Sequence, residues 1–163
     1  MKIGAHYLGD GCCKFTVWAP DKKTVALEIV SPKSQDIPME KHRGYWQVTA
    51  TNIEPGTLYF YQLDGEESRP DPASNFQPQD VHGPSQVVDH NFSSWTDSGW
   101  SGIPLEEMII YELHVGTFTP EGTFESMIPR LRELKEFGVN AIEIMPVAQF
   151  PGDRNWGYDG AYT

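Results

Sequence analysis

The chain has 163 residues, 39% of them hydrophobic, and a formal net charge of −11. That length allows one large or two small domains. The acidic balance argues against a nucleic-acid binder, which needs clustered Lys and Arg to neutralise phosphates, and is compatible with a neutral ligand. No apolar run approaches the ~20 residues of a membrane span, and residues 1–20 lack the apolar segment of a secretory leader. Cys12 and Cys13 are the only cysteines. Neighbours on a strand point to opposite faces, so a bridge between them would be strained. Two reduced thiols in a cytoplasmic protein are the expectation, with no metal and no cofactor, because no Cys/His cluster has ligand spacing.

The first half reads as short strands. Lys14–Trp18 runs into the turn signal Ala-Pro-Asp, and Thr24–Val30 alternates, with Val25, Leu27 and Ile29 on one face. Gly44–Ala50 and Leu58–Leu63 continue the series, and Asp64-Gly65 closes the last of these strands. Short strands separated by turns, with no helical period, predict a small beta-sandwich over residues 1–89. Trp18, Trp46, Tyr45 and Tyr59 are its possible sugar-stacking residues, with Trp18 expected in the core. A structural sandwich is favoured over an independent sugar binder.

Pro70, Pro72, Pro78 and Pro84 interrupt any regular element between Asp64 and Ile103, and Val87-Val88 fits one more strand. Residues 90–107 read as a connector whose Trp95 and Trp100 pack on its neighbours. From Met108 the texture changes. Met108–Val115 is a nearly continuous apolar run, as expected of a strand buried on both faces, with Glu112 and His114 as structural groups within it. Phe124, Met127, Ile128, Leu131, Leu134 and Phe137 recur at helical steps, and Gly138 stands where a left-handed cap belongs. Either Thr123 or Ser126 caps that helix; Pro129 favours Ser126, which puts the proline in the first turn. Asn140–Pro146 reads as a second buried strand, with Glu143 structurally paired. Strand, helix, strand is a beta-alpha-beta unit with a right-handed crossover.

The loop from Met145 to Tyr162 is the most informative stretch. Trp156 and Tyr158 each stand beside a glycine, with Asp153, Arg154 and Asp159 nearby. Flat aromatic faces match the C–H face of a pyranose, and carboxylate, guanidinium and amide groups match its hydroxyls. On composition alone, a ligand site and an ordinary capping loop are evenly balanced.

Ile110–Thr119, reading IYELHVGTFT, resembles the first barrel strand and loop of the alpha-amylase-type glycoside hydrolases: branching enzymes, isoamylases and trehalohydrolases. Ala141–Val147 followed by Asn155–Gly160, reading NWGYDG, resembles their second strand and its loop. The runs PVAQFPG and RNWGYDG, with RPDPASNFQPQDVHGPS upstream, are most similar to the trehalohydrolase branch. The N-terminal strands, with Phe15–Pro20, resemble the immunoglobulin-like domain that precedes the barrel. The resemblance implies an immunoglobulin-like sandwich over residues 1–89, the connector 90–107, and the truncated start of a (beta/alpha)8 TIM barrel over 108–163. It implies that the intact protein hydrolyses the alpha-1,4 bond next to the terminal trehalose of maltooligosyltrehalose, releasing trehalose; the alternatives are a branching or debranching enzyme, or a carbohydrate-binding module. Tyr158 would stack on the sugar next to the scissile bond, Trp156 would line the same pocket, and Asp159 would bind sugar or, preferably, fix the loop. A retaining glycosidase needs two carboxyl groups about 5–5.5 Å apart, carried in this family on later strands. The chain is therefore expected to have no catalytic residue and no activity of its own, and to self-associate through its open strand edges.

Overall fold

The computed structural model of the chain describes residues 2–91 and 95–162, so residues 92–94 of the expected connector lie outside the described residues. The chain divides into two compact units, one running to residue 94 and the other from Trp95 to Ala161.

The first unit is a two-sheet sandwich. One sheet has the order β1 (Gly4–Gly9), β2 (Cys12–Trp18), β6 (Tyr45–Thr51), β5 (Glu40–His42). The other has the order β4 (Gln35–Pro38), β3 (Val25–Ser31), β7 (Leu58–Leu63), β8 (Glu67–Arg69), with β9 (Ser85–Gln86) also on β7. All pairings are antiparallel. Strand alternation supplies the core: Cys13, Phe15 and Val17 from β2 and Trp46 and Ala50 from β6 meet Val25, Leu27 and Ile29 from β3 and Tyr59 and Tyr61 from β7. Phe15 and Tyr59 pack edge to face across the sheets, ring centroids 4.9 Å apart.

The four strands read from the alternating pattern are present within a residue or two. The short strands β1, β4, β5, β8 and β9 lack that pattern. The first hairpin did carry a signal: Asp10 (φ 49°) and Gly11 (φ 69°) form the two-residue turn whose positive dihedrals match the twist of the flanking strands. Val87 is buried just after β9 instead of being part of it. Trp18, expected in the core, is 62% exposed, whereas its sequence-adjacent neighbour Val17 is buried. The reason is parity: β2 turns Cys13, Phe15 and Val17 inward, which sends Trp18 out.

The second unit contains β10 (Ile110–Leu113) and β11 (Ala141–Ile144), paired in parallel with Ile110 opposite Ala141 and Leu113 opposite Ile144. Asn140 anchors the start of both strands, its Oδ1 accepting from the Ile109 N–H at 2.7 Å and its Nδ2 donating to the Glu107 carbonyl at 2.8 Å. Between the strands lie α1 (Val115–Phe118), α2 (Phe124–Met127), a 3-10 turn (Ile128–Arg130) and α3 (Leu131–Glu136).

Several expectations need correction here. The strand is shorter than 108–115, because Val115 already begins a helical turn. It is also not buried on both faces: Ile110, Tyr111, Ile142 and Ile144 are exposed, and Leu113 is the buried residue of the pair of strands, because no further layer covers a two-stranded sheet. Glu112 and Glu143 are accordingly exposed, not buried and paired. The single helix is three short segments. Thr123, not Ser126, is the cap, accepting from the Ser126 N–H in a reciprocal capping box, and Pro129 falls in the 3-10 turn that separates α2 from α3. Gly138 (φ 99°) closes α3 as read, with Val139 N–H donating to Leu134 and Gly138 N–H to Lys135. Trp95 and Trp100 are exposed instead of packed on neighbours.

Candidate functional site

The loops that follow the carboxyl ends of β10 and β11 meet in the second unit. His114, the residue after β10, donates from Nε2 to the Asn155 carbonyl at 2.8 Å. A carbonyl only accepts, so Nε2 carries the proton, and in the neutral ring Nδ1 is left as the acceptor. Thr117 Oγ1 lies 3.3 Å from that Nδ1. The His114 ring packs edge to face on Trp156, centroids 5.0 Å apart. His114 is thus half-buried at the mouth of the site, with a positioning role, and is not a group inside a buried strand.

Asn155 organises the loop from within. Its Oδ1 accepts from the Gly157 N–H at 2.6 Å, and its Nδ2 donates to Asp159 Oδ2 at 3.0 Å. Gly157 has φ 100°, and a Cβ there would lie 2.5 Å from the Pro146 carbonyl oxygen; a Cβ at Gly160 would lie 2.4 Å from the Ala148 Cβ. The chain can fold back on Pro146–Ala148 because both residues are glycine. That geometry turns the aromatics outward: Trp156 is 61% and Tyr158 75% exposed.

A cavity of about 820 Å³ opens beside this loop, within the size range of small-molecule sites. Its lining includes His114, Phe124, Glu125, Phe150, Arg154 and Trp156. Of the three residues singled out in the sequence, Trp156 borders the cavity, while Tyr158 and Asp159 are not among its lining residues. Asp159 bonds Asn155 and so fixes the loop. The sequence assigns His114 only a structural role within the strand and does not single out Glu125. The first was hidden in an apolar run. The second is a surface-type residue in the first turn after Thr123, with no pattern of its own. What the arrangement offers is an aromatic wall with two carboxylates (Glu125 and Asp153), one guanidinium and backbone groups, suited to holding a polar ligand.

Comparison with known proteins agrees with this chemistry. Residues 2–79 match the family model of carbohydrate-binding module 48, the isoamylase N-terminal domain. A malto-oligosyltrehalose trehalohydrolase of Saccharolobus solfataricus is 47% identical over 99% of this chain and 28% of its own length. That of Deinococcus radiodurans is 41% identical over 98% of this chain and 26% of its own. Among solved structures, a Salmonella typhimurium protein assigned as an alpha amylase superposes with a TM-score of 0.88 at 43% identity, covering 98% of this chain and 27% of that one. A pullulanase of Anoxybacillus sp. LM18-11, solved with maltotetraose, gives 0.82 at 25% identity over 97% and 28%. The fold and the sequence together define a carbohydrate-binding sandwich of the kind carried by alpha-amylase-family glycoside hydrolases. Within that class the chain is similar over nearly its whole length to the malto-oligosyltrehalose trehalohydrolases. It spans about a quarter of the length of the curated relatives it matches.

Proposed function

We propose that the chain is part of a glycosidase that hydrolyses the alpha-1,4 bond next to the terminal trehalose of maltooligosyltrehalose, releasing trehalose. In this reading β10, the helical segments and β11 are the opening beta-alpha-beta unit of a (beta/alpha)8 barrel, and the loops after the two strands form one side of the sugar site. One observation carries it: the strands are parallel, and the residues that leave their carboxyl ends, His114 and Asn155-Trp156, bond and stack on each other beside a cavity. Active sites of barrel enzymes are built at that end. Trp156 and Tyr158 present their rings to the sugar, and Asp159 holds the loop.

The chain supplies binding groups, while the acid and the nucleophile belong to later strands. It is therefore inactive by itself, and its uncovered strands β10 and β11 draw it into self-association. Neither nucleic acid nor membrane is a partner. Its place is the cytoplasm, in keeping with two unbridged thiols.

The test is direct. Incubated with maltooligosyltrehalose, the 163-residue chain should release trehalose no faster than buffer. An enzyme-dependent rate absent from a mock purification would show that the catalytic groups lie within these residues and that the assignment of the site is wrong.

A further inference from the structure

His114 reaches the loop of Trp156 and Tyr158 in two separate ways. Its Nε2–H grips a backbone group, the Asn155 carbonyl at 2.8 Å, while its ring lies edge to face on Trp156, centroids 5.0 Å apart. Room for the ring comes from Gly116, where a Cβ would stand 3.0 Å from His114 Cε1. The half-buried imidazole thus lies against both Gly116 and Trp156, and Thr117 Oγ1 stands 3.3 Å from its other nitrogen. A ring held on three sides has one orientation to offer the loop.

The hydrogen bond has a continuation that the ring contact lacks. Asn155 Oδ1 accepts from the Gly157 N–H at 2.6 Å, a turn closed by the side chain two residues back, and Nδ2 donates to Asp159 Oδ2 at 3.0 Å. Gly157 and Asp159 are the two chain neighbours of Tyr158. Asn155 is therefore gripped by His114 through its backbone and brackets Tyr158 through its side chain. The Tyr158 side chain is 75% exposed, with little packing of its own, so its direction follows from the backbone on either side.

We propose that His114 is a positioning residue with two separable outputs: its Nε2–H, relayed by Asn155, sets Tyr158, and its ring sets Trp156. The proposal rests on reading this loop as the sugar site. In that reading Tyr158 is the platform beside the scissile bond, and Trp156 borders the cavity. The relayed bond then governs turnover and the ring contact governs affinity. Misplacing a group next to the reacting bond acts on the rate, whereas losing a contact that ground state and transition state share raises KM with kcat unchanged.

The test separates the two outputs in the protein encoded by the full reading frame, assayed for trehalose release from maltooligosyltrehalose. His114→Gln keeps an N–H donor at similar reach and removes the ring. Asn155→Ala keeps the carbonyl and the ring contact and removes the bracket around Tyr158. His114→Gln should raise KM several-fold with kcat within about twofold of the parent. Asn155→Ala should lower kcat about tenfold or more with KM in place. His114→Ala should do both, and His114→Gln should restore its kcat. If Asn155→Ala does not fold, Asn155→Asp, which keeps the acceptor for Gly157 and loses the donor to Asp159, takes its place. A kcat as low in His114→Gln as in His114→Ala, or parental kinetics in a folded Asn155 variant, would overturn the proposal. The 163-residue chain carries a readout that needs no turnover. Its Tyr158 ring signals by NMR should move in His114→Ala and in Asn155→Ala, and return towards the parent in His114→Gln. A parent protein that releases no trehalose defeats the functional reading alone; Tyr158 signals that stay in place in both alanine variants defeat the positioning role.

Discussion

Asp71 is the residue on which the sandwich concentrates its polar bonding. It is fully buried, and its Oδ2 accepts from Tyr59 at 2.7 Å and Tyr61 at 3.1 Å, while Oδ1 accepts from the Ala73 N–H at 2.8 Å. Its own N–H donates to Ser85 Oγ at 2.9 Å, and Ser85 in turn donates to Gln77. Burial outweighs these donors and pushes the carboxyl above its ordinary value of 3.8. A raised folded value means that the folded chain holds its proton more tightly than the unfolded one. The contribution of Asp71 to stability is therefore fully present at low pH and is lost as pH rises through the raised value, the reverse of a salt-bridged carboxylate. Asp71→Ala leaves two tyrosine hydroxyls without their acceptor and should cost about 1–3 kcal/mol for each buried group orphaned. Urea unfolding checks it, with Asp71→Asn as the non-titrating comparison. Relative to Asp71→Asn, the parent should gain stability as pH falls through the raised value; a difference flat with pH would remove this account. None of this network was legible in the sequence. The run from Pro70 to Pro84 reads as irregular chain, and only tertiary packing shows that its aspartate is buried beneath two tyrosines of β7.

At the scale of elements, what could be read depended on which periodicity had a surface to act on. β2, β3, β6 and β7 alternate because each has one face on a core and one on water, and they lie where the alternation put them. β10 and β11 are apolar without alternation, a pattern that calls for cover on both faces, yet Ile110, Tyr111, Ile142 and Ile144 are exposed. The helical stretch shows the same mismatch. Its six apolar positions share a helical stripe, but Met127 is buried, Leu131 half-buried, and Phe124, Ile128 and Phe137 exposed. Pro129 is an obstacle to one continuous helix. The helix yields to it by a 3-10 turn after a Thr123 cap, which satisfies the first N–H groups without moving the start. Apolar strands with exposed faces invite pairing with another chain. Sedimentation velocity should show an average coefficient that climbs with concentration, and Ile110→Lys with Ile142→Lys should suppress the climb. A monomer at every concentration, with the strand amides protected from exchange, would contradict it.

For the molecule as a whole, the site was legible as a motif but not as a geometry. The NWGYDG run marked the loop, and the structure adds why its glycines are required and that Asn155, the first residue of that run, ties His114, Gly157 and Asp159 together. Spacing alone could not show that Trp156 borders the cavity while Tyr158 stands outside its lining, because that depends on the loop folding back on Pro146. The central claim is that these residues are the sugar-holding part of a trehalose-releasing hydrolase. The measurement that tests it most directly is product analysis on the protein encoded by the full reading frame, given maltooligosyltrehalose. The account predicts free trehalose and a shortened maltooligosaccharide as products, with release slowed about tenfold or more by Tyr158→Ala, the loss expected of a stacking platform. Branched or debranched glucan without trehalose, or normal turnover in the Tyr158→Ala protein, would contradict it.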